Sequence, residues 1–177
     1  VHHPPLSFST KKPSSSELRD SIDAACAAAN FYPDAVLSGH AHIYQRITRV
    51  MTVANKSIQV PYIIAGAGGF AVTPSTEIDK ADVKLEDISD PQFRLHRFLP
   101  NFGYLKITVA SKAANQAATQ TKHSSRSTAA RKSHQSGATP RTKINVPTLR
   151  IEFRSIDPRL ANPADVCIVD LQNRQIL

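Results

Sequence analysis

The sequence of 177 residues contains only two cysteines, Cys26 and Cys167. Two cysteines are too few for a disulfide framework or a thiolate zinc site, so both are expected to be buried free thiols. No uninterrupted apolar run approaches the roughly 18 residues that a membrane-spanning helix needs, and no signal-peptide pattern stands at the start. These absences predict no membrane span and favour a cytoplasmic location. The chain begins with Val1 and not with Met, so an upstream segment that carried a targeting signal would remove this preference.

Acidic residues are absent from residues 110–143, a segment that carries seven of the 22 Lys and Arg residues. The rest of the chain has 15 basic and 14 acidic residues, so most of the formal net charge of +8 belongs to this segment. It also lacks Leu, Ile, Val, Phe and Tyr, and such a composition cannot bury enough apolar area to offset the entropy of ordering. We therefore predict a basic, disordered insert over 110–147. Its charges could contact nucleic acid, but a solvated loop is favoured because no aromatic residue is present to stack on bases.

An early helix is predicted by both its pattern and its ends. Ser14 and Glu17 form a capping-box pattern, and apolar residues recur at helical spacing from Leu18 to Ala29. Asn30, with a proline three residues later, ends the helix.

The remaining pattern predicts mostly antiparallel strands in an α/β domain. Residues 1–109 form its main part, and residues 148–177 supply closing strands beyond the insert. Pro61 indicates a sheet edge or a bulge, and residues 72–100 are expected to be a long loop with at most one helical turn. Strands are expected at 35–37, 43–54, 58–65, 104–109, 149–154 and 166–171, with a turn at 55–56.

Two pairs of histidines stand in contexts that suit metal binding. His2 and His3 precede two prolines, which stiffen the chain and reduce the entropy lost on ligation. His40 and His42 follow a short apolar strand, and in extended backbone residues i and i+2 project to the same side. Each pair alone is more typical of a surface loop or a chain terminus, but together they indicate a metal site.

Several segments together resemble the C-terminal half of a calcineurin-like metallophosphoesterase, closest to the purple-acid-phosphatase-like branch. The resemblance covers about residues 1–109 well and the last strands loosely. It implies a four-layered α/β/β/α sandwich with a dinuclear metal site on loops at the strand ends. The segments that carry it are Val1-His2-His3-Pro4-Pro5, Ser38-Gly39-His40-Ala41-His42, Tyr44-x-Arg46 and Ile63-Ile64-Ala65-Gly66-Ala67-Gly68-Gly69.

The resemblance also implies roles for particular residues. His2 and His40 would hold one metal ion and His42 the other, with His3 as an alternative to His2. The metals would be Fe, Mn or Zn. Tyr44 and Arg46 are candidates for binding a phosphate ester substrate, although an exposed or salt-bridged side chain is an equal alternative for Arg46. The Gly66-x-Gly68-Gly69 segment could cradle a phosphate, but a tight turn in the wall of the site is favoured because no P-loop lysine or following helix pattern is present.

Three motifs that the family carries upstream are missing from the 177 residues: Asp-x-His, Gly-Asp-x-x-Asp and Gly-Asn-His-Glu. A two-metal mechanism needs bridging carboxylates to hold two cations close together. The sequence therefore predicts the C-terminal portion of a metal-dependent phosphoesterase that hydrolyses esters by metal-activated hydroxide as an intact protein. This portion alone is expected to be inactive, and no catalytic residue is assigned to it. The alternative is a non-catalytic metal- or nucleic-acid-binding module.

Overall fold

The computed structural model describes residues 1–9, 11–69, 71–72, 92–111 and 146–177. Most of the predicted basic insert lies outside these residues, so that prediction stays a prediction. The described elements are one helix and eight strands: α1 (Ser16–Ala29), β1 (Val36–Ser38), β2 (Tyr44–Val53), β3 (Lys56–Ala65), β4 (Phe93–Leu99), β5 (Gly103–Ala110), β6 (Thr148–Ser155), β7 (Asp165–Asp170) and β8 (Gln175–Ile176).

The strands form two four-stranded sheets in an α/β arrangement. Sheet 1 has the order β1-β3-β2-β4 and sheet 2 the order β5-β6-β7-β8. Only the β1–β3 pair is parallel among the described strands; the other pairs are antiparallel. The predicted pairing of the two strands beside the insert is confirmed, because Val109 lies opposite Leu149. Of the helices in the described part of the chain, none combines the length and apolarity needed to cross a membrane.

Helix α1 begins one residue later than its capping-box pattern predicts. The Ser15 side chain accepts a hydrogen bond from the Leu18 N–H at 3.2 Å, which satisfies one of the free donors of the first turn. Ser14 instead bonds through its hydroxyl to both the N–H and the carbonyl of Ser7. The predicted end is confirmed, since Asn30 adopts the left-handed conformation with φ 49° and caps the last turn.

The helix cap gives a first stability prediction. Replacing Ser15 with alanine is expected to lower the free energy of unfolding by about 1 kcal/mol, because the Leu18 N–H loses its partner. Urea denaturation followed by circular dichroism measures the change. Ser21→Ala is the matched control: Ser21 is an exposed serine of the same helix and bonds only to a carbonyl one turn earlier. A loss as large in the control would contradict the assignment of Ser15 as the cap.

Sheet 1 carries one apolar core on the side of α1. Ile47 and Tyr62 are buried there together with Leu6 from the N-terminal segment. On the same face, Arg49 donates to both carboxylate oxygens of Asp23 in α1, at 2.7 and 2.6 Å. No residue of α1 is fully buried, and the predicted apolar face of the helix is half-buried or exposed, so this ion pair joins the helix to the sheet where apolar burial is small.

Sheet 2 packs on the opposite face of sheet 1 through a second core. Tyr44 of β2 stacks on Phe153 of β6, with ring centroids 4.1 Å apart and planes inclined by 13°. The described residues therefore form three layers, in the order helix, sheet and sheet. The other buried members of this core come from both sheets: Ile63, Ile151, Cys167 and Val169.

Two strand predictions were wrong, each for a local reason. The predicted loop over 72–100 contains β4, which pairs with β2. The register shifts between Arg46 and Ile47, whose partners Arg97 and Leu95 skip His96. This bulge interrupts the alternation from which a strand is recognised.

Pro61 marks neither an edge strand nor a bulge, because β3 lies between β1 and β2 and keeps an unbroken register with β2. The parallel ladder with β1 begins only at Tyr62. Proline cannot donate a backbone hydrogen bond, and Pro61 has no partner in β1. No hydrogen bond of that ladder is therefore lost at this position.

Candidate metal centre

The N-terminal segment is held against the end of β1. The Gly39 N–H donates to the His2 carbonyl at 3.0 Å, and the Ser15 N–H donates to the Pro4 carbonyl at 3.1 Å. Pro4 and Pro5 are fully buried. These contacts place His2 and His3 beside the turn that follows β1, as the ligand prediction requires.

The segment between β1 and β2 makes two consecutive tight turns. The Ala41 N–H donates to the Gly39 carbonyl at 2.7 Å, and the Ile43 N–H donates to the Ala41 carbonyl at 2.8 Å, a pattern typical of three-residue turns. His40 has φ 61°, a left-handed conformation that costs energy for a residue with a Cβ and that clusters at functional sites. The extended His-x-His backbone assumed from the sequence is therefore wrong, yet His40 and His42 still line one cavity.

Three imidazole rings form a cluster at this turn. The Nδ1 atom of His40 lies 3.2 Å from the Nε2 atom of His2. The ring centroid of His3 is 4.1 Å from that of His40 and 5.1 Å from that of His2. Two nitrogens bound to one tetrahedral zinc ion, each about 2.0–2.1 Å from it, lie about 3.3 Å apart. The His2–His40 spacing therefore suits either a direct hydrogen bond or a shared metal ion.

A cavity of about 450 Å³ opens beside the cluster. All three predicted ligands line it, whereas His3 faces a neighbouring cleft with Ser15 and Glu17. The glycine-rich segment forms part of the wall, as predicted. The lining residues are His2, Gly39, His40, His42, Ala65, Gly66, Gly68 and Gly69.

The donor set fits a borderline divalent cation such as zinc, for which neutral imidazole is a preferred ligand. Desolvation in the cluster, the charge of Lys12 and the neighbouring imidazoles lower the pKa of His40, and a lower pKa keeps the ring in its neutral, metal-binding form. No described carboxylate lines the cavity. Across the described ranges, no group of three or more His, Cys, Asp or Glu side chains is already arranged to hold a metal ion. The described geometry is therefore a close pair of imidazole rings, His2 and His40, with the imidazole of His42 lining the same cavity.

The two residues predicted to bind substrate lie elsewhere. The Tyr44 hydroxyl donates to Asp165 at 2.7 Å, and Arg46 donates to both oxygens of the same carboxylate at 2.6 and 3.1 Å. Of the two alternatives for Arg46, the structure shows the salt bridge. Neither side chain lines the histidine cavity, and the site proposed below does not include them.

Asp165 is the residue that sequence reasoning missed. Its partners stand 119 and 121 positions away along the chain, so no local spacing links them. Burial alone would raise the pKa of Asp165, but the hydrogen bonds from Arg46 and Tyr44 outweigh it and hold the pKa below its usual value.

Comparisons with known proteins gave no match: no family model, no curated protein and no solved structure corresponds to this chain. The assignment of a function therefore depends on the motifs and on the geometry of the histidine site.

Proposed function

We propose that the chain is the C-terminal portion of a metal-dependent phosphoesterase of the calcineurin-like type. In this proposal His2, His40 and His42 are metal ligands, and the two described sheets are the central layers of a four-layered sandwich. The placement of His40 and His42 on the turn between β1 and β2, with His2 hydrogen-bonded beside it, supports the proposal. The proposal does not specify the substrate class, and monoesters, diesters, cyclic nucleotides and phospholipids are all compatible with it.

One observation carries the proposal: the 3.2 Å separation of the His2 and His40 ring nitrogens beside a cavity that His42 also lines. His2 stands 38 positions before His40 in the sequence, and a chance arrangement has no reason to bring it to the cavity that His40 and His42 line. The left-handed backbone of His40 is a second sign, because such strain persists where the surroundings impose it.

The residues of this chain have defined tasks in the proposed reaction. When bound at these residues, a metal ion would polarise a phosphoryl oxygen as a Lewis acid and would activate water. His2 and His40 would hold one metal ion and His42 the other, each through a neutral imidazole nitrogen. The Gly66–Gly69 wall presents little side-chain bulk, which leaves room for a phosphate group next to the ligands.

A second candidate is a non-catalytic module that binds a single metal ion. The specific observation in its favour is the absence of a carboxylate among the described residues that line the cavity. Neutral imidazoles carry no charge to offset a second cation, so these residues alone suit one ion. Both candidates use the same three ligands, and they differ in whether an upstream portion completes the site.

Metal binding by the isolated chain tests the ligand assignment. We expect a single weakly held Co²⁺ or Zn²⁺ ion per chain, measured by native mass spectrometry and by the visible spectrum of Co²⁺. His40→Ala is expected to weaken binding at least about tenfold, because it removes one of the two preformed nitrogens. The control is His123→Ala, which removes a histidine of the insert. Equal losses in both variants, or no binding by the unsubstituted chain, would contradict the assignment.

Turnover separates the enzyme from the binding module. We expect negligible hydrolysis of a chromogenic phosphate ester by this chain alone. Two tightly bound metal ions with ordinary turnover would show that it is not half of a site. If the coding frame upstream of Val1 lacks Asp-x-His and Gly-Asn-His-Glu segments, the phosphoesterase proposal fails and the binding module stands.

A further inference from the structure

Asp165 joins the last segment of the chain to the strand that follows the histidine turn. Its side chain is only 5% exposed, yet it accepts hydrogen bonds from three donor atoms of Tyr44 and Arg46. A second guanidinium, that of Arg97, lies 3.8 Å away. Both β2 partners are themselves buried or nearly so. Charge-assisted bonds of this kind are short and directional, so they fix the groups they join.

The network lies directly behind the histidine turn. Tyr44 is the first residue of β2 and comes two positions after His42. The residue between them, Ile43, accepts a hydrogen bond from the Gly66 N–H at 3.2 Å. The start of β2 is thus held from one side by the cavity wall and from the other by Asp165 in sheet 2.

We propose that Asp165 is a positioning residue for the histidine site: by holding Tyr44 and Arg46 it sets where the turn presents His40 and His42. This inference rests on the proposed function. Its consequence is that the segment beyond the basic insert belongs to the site, although it supplies no ligand. Groups that orient metal ligands typically change metal affinity by about 10- to 100-fold when removed.

A general stabilising salt bridge is the competing explanation, and the same strand offers a matched control. Arg49 of β2 pairs with Asp23 through two bonds of comparable length. That pair faces the helix and lies seven positions from His42 along the sequence. Asp23→Asn therefore breaks an equivalent ion pair on β2 without touching the start of the strand.

The test compares Asp165→Asn with Asp23→Asn in the full chain. We expect Asp165→Asn to raise the Co²⁺ dissociation constant about tenfold and Asp23→Asn to leave it within about twofold. In metal-free protein, long-range ¹H–¹⁵N spectra of the histidine rings report the same difference. Asp165→Asn should shift the ring signals of His40 and His42, and Asp23→Asn should leave them in place.

A milder variant keeps the inference testable if Asp165→Asn does not fold. Tyr44→Phe retains the ring that stacks on Phe153 and removes only the hydroxyl, which donates a hydrogen bond to Asp165. It should move the same ring signals and weaken Co²⁺ binding by about fivefold, as expected for one hydrogen bond.

The two proposals fail in different ways. Equal effects of the Asp165 and Asp23 variants, or unshifted ring signals in both Asp165→Asn and Tyr44→Phe, overturn the positioning role. Absence of Co²⁺ binding by the unsubstituted chain overturns the ligand assignment instead, and the metal-free spectra still decide the role of Asp165.

Discussion

Replacing Gly66 with alanine is expected to lower the free energy of unfolding by about 3 kcal/mol or more and to abolish metal binding. A Cβ atom at this position would overlap the carbonyl oxygen of Ala41 and lie 2.7 Å from its carbonyl carbon. Both are backbone atoms in the turn between His40 and His42, so no side-chain rotation relieves the clash. Moving the turn also breaks the hydrogen bond from the Gly66 N–H to the Ile43 carbonyl.

Gly68→Ala provides the control for this prediction. Gly68 lines the same cavity, but a Cβ atom built there meets nothing within 4 Å. Its free energy of unfolding should change by no more than about 0.5 kcal/mol. Urea denaturation followed by circular dichroism measures the free energy of unfolding of both variants, and Co²⁺ titration measures their metal binding. If Gly66→Ala behaves like the control, the result would contradict the close contact between Gly66 and the Ala41 backbone.

Local signals in the sequence predicted local structure well. The capping-box pattern and the helical spacing of apolar residues placed the start of α1 to within one residue, and the left-handed preference of Asn30 marked its end. The prediction of Ser14 as the cap was wrong because the Ser14 hydroxyl is hydrogen-bonded to Ser7, a contact that only the folded N-terminal segment creates. Alternating patterns likewise located β5, β6 and β7 to within one residue at each end.

Features that depend on tertiary context were not predictable. The bulge at His96 hid β4, since one extra residue inverts the side-chain alternation. The left-handed His40 replaced the expected extended backbone in a segment whose two tight turns are closed by backbone hydrogen bonds and packed against Gly66. The ionic network of Asp165 joins residues in different sheets, and no spacing rule reaches across more than a hundred positions. The histidine motif did identify three residues that line one cavity, and their binding of metal stays a prediction.

The second large effect is expected at Arg46. Arg46→Met leaves the buried carboxylate of Asp165 with only the Tyr44 hydroxyl and the guanidinium of Arg97, which is half exposed and lies 3.8 Å away. Breaking a buried ion pair from one side costs about 3–5 kcal/mol, because the remaining charge is uncompensated. The double variant Arg46→Met/Asp165→Asn removes both charges and keeps an acceptor for Tyr44. It should therefore recover most of the lost free energy of unfolding.

The pH dependence of this cycle has a definite sign. In the unsubstituted chain the pKa of Asp165 is below its usual value, so the stabilisation by the pair is complete above the unfolded pKa and is lost as the pH falls through the folded pKa. Without Arg46, burial raises the pKa of the same carboxyl, and protonation relieves the unpaired charge. The deficit of Arg46→Met in urea denaturation should therefore be largest at neutral pH and smaller at pH 4. A deficit that is constant over this range, or a double variant as unstable as the single one, would mean that the side-chain packing of Arg46 stabilises the sheet interface and its charge does not.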